Sequence, residues 1–264
     1  MEEASDGADD SGADGVNCLC TIVVPCYNEE QRFPFDQFVR FFSAHPEIRF
    51  VLVNDGSRDN TLRLLRRAAA GREHQVEVQD QQVNCGKAEA VRVGMLQAMK
   101  RPDCQFAGFW DADLATPLDA IGELAAVLAA NPGLAMVFGS RVKLLGRQVD
   151  RKAIRHYLGR AFATVVSIVL RLAVYDTQCG AKLFRVSPET KDLFSAEFTS
   201  RWVFDVEIIA RFIQKRGHDI AAVEQAIYEF PLMQWQDVAG SRLRPKDFFR
   251  AFFDVLQIKR RYRR

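Results

Sequence analysis

Five short runs rich in β-branched and aromatic residues, at 20–25, 49–54, 75–79, 105–110 and 134–138, recur along the first half of the chain. Amphipathic segments near 34–44, 58–70, 87–99 and 117–130 separate them. Apolar runs of strand length alternating with helix-period segments predict a βαβ series, and that alternation admits few folds. The expected class is α/β: one domain, with a Rossmann-like, mostly parallel sheet flanked by helices. Crossover helices on such a sheet leave the ligand-binding loops at the carboxyl ends of the strands. The residues that follow each run are therefore the ones to examine for chemistry.

Past Gly139 the pattern loosens. A long basic amphipathic helix is predicted over 151–174, a second helix over 203–215, a strand at 221–228, and a last helix starting near Pro245. A hydrophobic content of 48% in 264 residues is enough for one extended core. With 36 basic against 34 acidic side chains, no global field favours nucleic acid as a partner. The ends differ in sign, since residues 1–15 carry six acidic side chains and no basic one, whereas 242–264 carry nine basic side chains against Asp247 and Asp254. Residues 1–17 read as a disordered acidic tail, 18–245 as the folded domain, and 246–264 as a basic amphipathic C-terminal helix. No signal-peptide pattern and no uninterrupted run of ~18–20 apolar residues is present, so a cytoplasmic chain is expected. The six cysteines form no C-x-x-C pair and read as reduced thiols.

Four strand ends carry the informative residues. The first runs into Pro25-Cys26-Tyr27-Asn28-Glu29, where a ring can stack on a base and a carboxylate can accept from it, although Asn28 and Glu29 would equally suit a helix cap. The second ends in Asn54-Asp55-Gly56-Ser57; the turn explains most of these letters but not Asp55, a carboxylate at the tip of a buried strand. The third loop, Asn84-Cys85-Gly86-Lys87, places a lysine at a helix start, where backbone amides attract phosphate. The fourth run leads directly into Asp111-Ala112-Asp113. Residues two apart on an extended segment point the same way, so both carboxylates can face one cation. Hard oxygen donors select Mg²⁺ or Mn²⁺, either of which can bridge the phosphates of a nucleoside diphosphate.

Together with Gly139-Ser140-Arg141 and Asp176-Thr177-Gln178-Cys179-Gly180-Ala181-Lys182-Leu183-Phe184, these motifs resemble the inverting family 2 glycosyltransferases of GT-A fold. Within that family the chain looks most like the dolichyl-phosphate β-glucosyltransferase and polyprenyl-phosphate glycosyltransferase branch. The resemblance implies a UDP-sugar donor, with Pro25, Tyr27, Glu29 and Asp55 lining the nucleoside pocket and Lys87 nearby. It places the metal and diphosphate on Asp111 and Asp113, Arg141 against the sugar or diphosphate, and Gln178, Cys179 and Gly180 on the floor of the acceptor region. The implied reaction moves a hexose, glucose first among the candidates, to a polyprenyl or dolichyl phosphate. A soluble acceptor, or a nucleotide-binding module without catalysis, is the alternative.

The acceptor half is read from three further segments. Arg201-Trp202-Val203-Phe204-Asp205-Val206-Glu207 offers two carboxylates at a helix start; Asp205 is favoured for acceptor activation or sugar positioning and Glu207 stands second, with helix-start capping as the alternative. The loop around Trp235, Ser241 and Arg242 matches a stretch that, in the resembled branch, closes over donor and acceptor. Lastly, the helix over 151–174 and the Phe-rich, basic C-terminal helix suit an anionic membrane surface without a span, or else a core or homo-oligomer contact.

Overall fold

The computed structural model describes residues 19–143, 145–150, 153–236, 238 and 245–262. Its centre is a seven-stranded sheet in the order β3-β2-β1-β4-β7-β5-β8. The strands are β1 (Cys20–Cys26), β2 (Ile48–Asp55), β3 (Val76–Gln81), β4 (Phe106–Trp110), β5 (Met136–Ser140), β7 (Ala181–Arg185) and β8 (Ile227–Pro231). All neighbours pair in parallel except β7, which runs antiparallel between β4 and β5. Helices α1 (Phe35–Ala44), α2 (Thr61–Ala69), α3 (Lys87–Ala98) and α4 (Ala120–Ala130) make the crossovers.

Both faces of the sheet are covered, as a parallel sheet requires. Val23, Val51, Val53 and Phe109 point into one core cluster with α3. Alternate residues Ile22, Val24, Phe50 and Leu52 point into the other, against α1, α2 and α4. Chain order reverses between β1 and β4, so their carboxyl ends and that of β2 splay around one crevice, the usual ligand position in open α/β sheets.

The second half differs from expectation in defined places. The 221–228 segment is not one strand: Ile220–Ala226 is a helix, α8, whose cap Asp219 accepts from the Ala222 amide at 3.0 Å, and β8 begins only at Ile227. The long helix is α5 (Ala153–Leu170). Sequence reading missed β7, the short helix α6 (Pro188–Asp192), and a pairing of β6 (Gln148–Asp150) with β9 (Gln234–Gln236) that fixes Trp235. The helix α7 (Phe204–Lys215) is buried over most of its length. The last helix, α9 (Pro245–Tyr262), sends Ala251, Val255 and Ile258 into the same core as α7 while exposing Phe252 and Phe253. Among the described residues no helix is long and apolar enough to cross a membrane.

Candidate active site

The ends of β1, β2 and β4, the amino end of α3, and residues of α5, α7 and α9 enclose a cleft of about 570 Å³. At one end lie Pro25, Tyr27, Glu29 and Asp55, brought together as their sequence positions suggested. Glu29 is buried and ion-paired to Arg32 at 2.5 Å. Asn28 holds a left-handed backbone (φ 50°), and its side chain accepts from the Arg58 amide at 2.8 Å, stitching the first loop to the second. Asn28, Ser57 and Asp59 are thus spent on loop structure.

Asp55 does a related job inside the cleft wall. Its carboxylate accepts from the Cys85 amide at 2.8 Å, the Gly86 amide at 2.9 Å and the Asn84 side chain at 2.8 Å. It therefore fixes the loop that presents Lys87. Burial pushes the Asp55 carboxyl above its ordinary value against the pull of those two amides. Gly86 reaches φ +95°, a conformation few side chains tolerate, as the chain turns into α3.

Lys87 extends to Asp111, with Nζ 2.5 Å from Oδ1. Burial works to raise the Asp111 carboxyl, but the lysine's charge and hydrogen bond, aided by Lys182 and Arg141, hold it below the usual range. Asp113 is raised instead, by burial first and then by the charge of Asp111. Gly180 explains how Asp111 fits: a Cβ there would stand 1.9 Å from Asp111 Oδ2, so no side chain is tolerated. Two neighbouring carboxylates that repel each other, both hard oxygen donors, suit a divalent cation such as Mg²⁺ or Mn²⁺. No cluster of three or more His, Cys, Asp or Glu residues stands ready for a metal among the described residues, so ligand and water oxygens would complete its shell.

Arg141 leaves β5 and is clamped by Asp176, Nε to Oδ2 at 2.6 Å and Nη2 to Oδ1 at 2.7 Å. Burial disfavours its charge, but Asp176 outweighs that and pushes the guanidinium above its ordinary value. Its guanidinium carbon lies 5.4 Å from the centre of the Trp235 ring. Gln178 and Gly180 line the cleft floor, with Cys179 fully buried beneath.

The two carboxylates of α7 part company. Asp205 faces the cleft and pairs with Lys182 at 2.6 Å. Burial raises its carboxyl while Lys182 and Lys87 oppose the shift. Lys182 itself is fully buried between the rings of Phe109 and Phe138 and donates to the Cys179 carbonyl. Glu207 points the other way, contrary to its reading as a second candidate base. It accepts from the Thr199 amide at 2.7 Å, Arg211 at 2.9 Å and the Tyr262 hydroxyl at 2.7 Å, tying α7 to α9. Trp202 and Trp235 line the cleft, while Ser241 and Arg242 lie outside the described residues. Lys182, Asp176, Arg160 and Arg201 were not singled out as site residues from sequence.

A cleft at the switch point of a mostly parallel sheet, with an Asp-x-Asp pair at a strand tip, defines the GT-A class of nucleotide-diphospho-sugar transferases. Glucosyl-3-phosphoglycerate synthase of M. tuberculosis shares this fold, with a TM-score of 0.63 at 14% identity over 92% of this chain and 80% of that one. The same synthase has been solved with Mn²⁺, UDP and glucosyl-3-phosphoglycerate, again at a TM-score of 0.63 and with 15% identity. The chain belongs to glycosyl transferase family 2, whose model matches residues 21–191. It is 30% identical over 250 residues to a dolichyl-phosphate beta-glucosyltransferase of Trichomonas vaginalis, covering 90% of this chain and 70% of that one. The dolichyl-phosphate beta-glucosyltransferase of Drosophila melanogaster is 31% identical over 245 residues, 85% of this chain and 69% of that one.

Proposed function

We propose that this chain is an inverting, divalent-metal-dependent glucosyltransferase that moves glucose from UDP-glucose to dolichyl phosphate at the cytoplasmic face of a membrane. The observation that carries this reading is one cleft in which Asp111 and Asp113 meet Lys87 and Arg141, in a chain similar over most of its length to dolichyl-phosphate beta-glucosyltransferases. Pro25, Tyr27, Glu29 and Asp55 would hold the uridine, and Lys87 and Arg141 would meet the diphosphate and sugar. Asp111 and Asp113 would hold Mg²⁺ or Mn²⁺, which when bound neutralises charge developing on the leaving diphosphate.

The acceptor chemistry then follows from the ionisation of a phosphomonoester. Its oxygen is already anionic near neutral pH, so attack on the anomeric carbon requires no general base. As that C–O bond forms, the bond to the diphosphate breaks and UDP leaves with the electron pair. Asp205, held by Lys182, would orient the sugar rather than take a proton. Gln178, Trp202 and Trp235 would form the surrounding walls, and Ser241 and Arg242 would reach the phosphates.

Seating on a membrane is supported by the outer face of α9, where exposed Phe252 and Phe253 precede Lys259, Arg260 and Arg261. Cations near an anionic surface contribute about 1 kcal/mol each. The test incubates the protein with UDP-[¹⁴C]glucose, Mn²⁺ and dolichyl phosphate. Label should enter the organic phase and disappear with EDTA. Transfer only to soluble acceptors would sink the lipid reading, and full activity in EDTA would sink the metal.

A further inference from the structure

Arg201 stands in the segment ahead of α7, yet its side chain lies against the loop ahead of α3. A Cβ built on Gly86 would come within 3.2 Å of Arg201 Cδ and 3.4 Å of its Cβ and Cγ, so the aliphatic stem rests on the glycine backbone. Gly86 is therefore constrained twice, by its φ of +95° and by the side chain that covers it. Both segments line the cleft, and Arg201 joins them.

The turn that carries Arg201 is fixed from within. Ser200 is buried, and its Oγ accepts from the Trp202 amide at 3.1 Å and the Val203 amide at 3.0 Å while donating to Asp254 of α9 at 2.6 Å. A serine hydroxyl that takes the amides two and three residues on closes a local turn, and the residue just after the serine is held in that turn. The base of Arg201 is thus anchored by Ser200 and its stem by Gly86.

The guanidinium is uncommitted. Among the described residues no carboxylate pairs with Arg201 and no hydrogen bond holds its nitrogens. The charge of Arg201 acts to lower the Asp55 carboxyl, but the Asp55 oxygens already accept from the Cys85 and Gly86 amides and the Asn84 side chain. Lys87, next to Gly86, has its charge matched by Asp111. Arg201 therefore brings to the same loop a positive charge that no ion pair cancels, on a planar fork of five donors suited to phosphate oxygens.

We propose that Arg201 is a donor-binding residue whose guanidinium grips the diphosphate of the nucleotide sugar beside Lys87. This rests on the reading of the cleft as a UDP-sugar site. It also moves Arg201 to the donor from the acceptor side, where its place in the sequence had put it. The fork adds directed contacts to the diphosphate that the point charge of a lysine does not supply.

The experiment compares wild type, Arg201→Gln and Arg201→Lys. Arg201 is exposed, so the melting curves should coincide. The Kd for UDP at fixed Mn²⁺ should rise roughly 10-fold for Arg201→Gln, as for loss of a charged hydrogen bond, and the KM for UDP-glucose should follow. Arg201→Lys keeps the charge without the fork and should recover part of that loss. The KM for dolichyl phosphate, and the inhibition constant of uridine as a competitor of UDP, should stay within about twofold, because neither molecule presents a diphosphate. An unchanged UDP Kd would overturn the proposal. Equal losses for UDP and uridine, the mark of a base contact or a disturbed loop, would also overturn it, as would a loss confined to the acceptor. A wild type that binds UDP and a variant that loses it, with no labelling of dolichyl phosphate by either, would overturn the functional reading alone.

Discussion

Two lysine–aspartate pairs serve the two halves of the cleft, and they differ in how much water reaches them. In Lys87–Asp111, where the donor is proposed to sit, the side chains are 34% and 36% exposed at a separation of 2.5 Å. In Lys182–Asp205, on the side proposed for the acceptor, they are 0% and 7% exposed at 2.6 Å. The first pair is half-buried and still reached by water, so its attraction is partly screened and a ligand can take over either partner. A buried pair is locked, because removing one member leaves a charge with no water to solvate it. The proposed donor half thus carries exchangeable charge at a strand end and a helix start, whereas the proposed acceptor half rests on charge fixed between Phe109 and Phe138.

The largest effect is expected from Lys182→Met. It leaves Asp205 buried without its cation, a change that typically costs about 3–5 kcal/mol. Chemical denaturation should read that loss, and transfer should fall with it. Replacing Asp205 by Leu in the same protein should recover most of the stability and none of the activity. A Lys182→Met protein that melts and transfers like wild type would erase the contrast between the two pairs.

Lys87→Met probes the other pair and should divide the two observables. The stability loss should be smaller than that of Lys182→Met, because water still reaches the half-buried Asp111 left behind. Glucosyl transfer should fall roughly 10²-fold in kcat/KM, as when one positioned donor to developing charge is removed. UDP titration calorimetry should register the lost phosphate contact. A large drop in stability with UDP affinity intact would make Lys87 a structural residue.

The same contrast governs what could be read from sequence. The donor half was legible because its residues sit directly after β-branched runs, and a parallel sheet sends all such ends to one edge. Asp111 and Asp113 were legible as a pair just past a strand end, although β4 stops at Trp110 and a turn, with the Leu114 amide donating to the Asp111 carbonyl at 3.3 Å, carries them rather than an extended segment. The acceptor half depends on contacts between distant segments. β7 was missed because Ala181-Lys182-Leu183-Phe184-Arg185 places a lysine where a buried strand is expected to be apolar, and it takes Asp205 on α7 together with the Cys179 carbonyl to make that lysine tolerable. Asp176 and Glu229 are 53 residues apart and meet through backbone amides that no spacing rule foretells. The 220–226 helix was mistaken for a strand because a short apolar run fits both periods, although Asp219 ahead of it was a usable cap signal.

Glu207 gives the finest test, since it lies two residues from Asp205 and faces the opposite way. Its carboxylate is fully buried and shared among Thr199, Arg211 and Tyr262, an arrangement that joins α7 to α9 and leaves no path to the cleft. Arg211 in turn donates to the carbonyls of Leu193, Ala196 and Glu197, so the network anchors the 193–199 segment that leads to Arg201 and Trp202. Glu207→Gln keeps the shape but weakens the charged hydrogen bonds, with a loss of roughly 1–3 kcal/mol. For the fraction that remains folded, kcat should stay within about twofold of wild type, because a residue outside the cleft stabilises no transition state. A fall in kcat of two orders of magnitude with an unchanged melting curve would instead return Glu207 to the chemistry, and would mean that α7 turns when substrate binds.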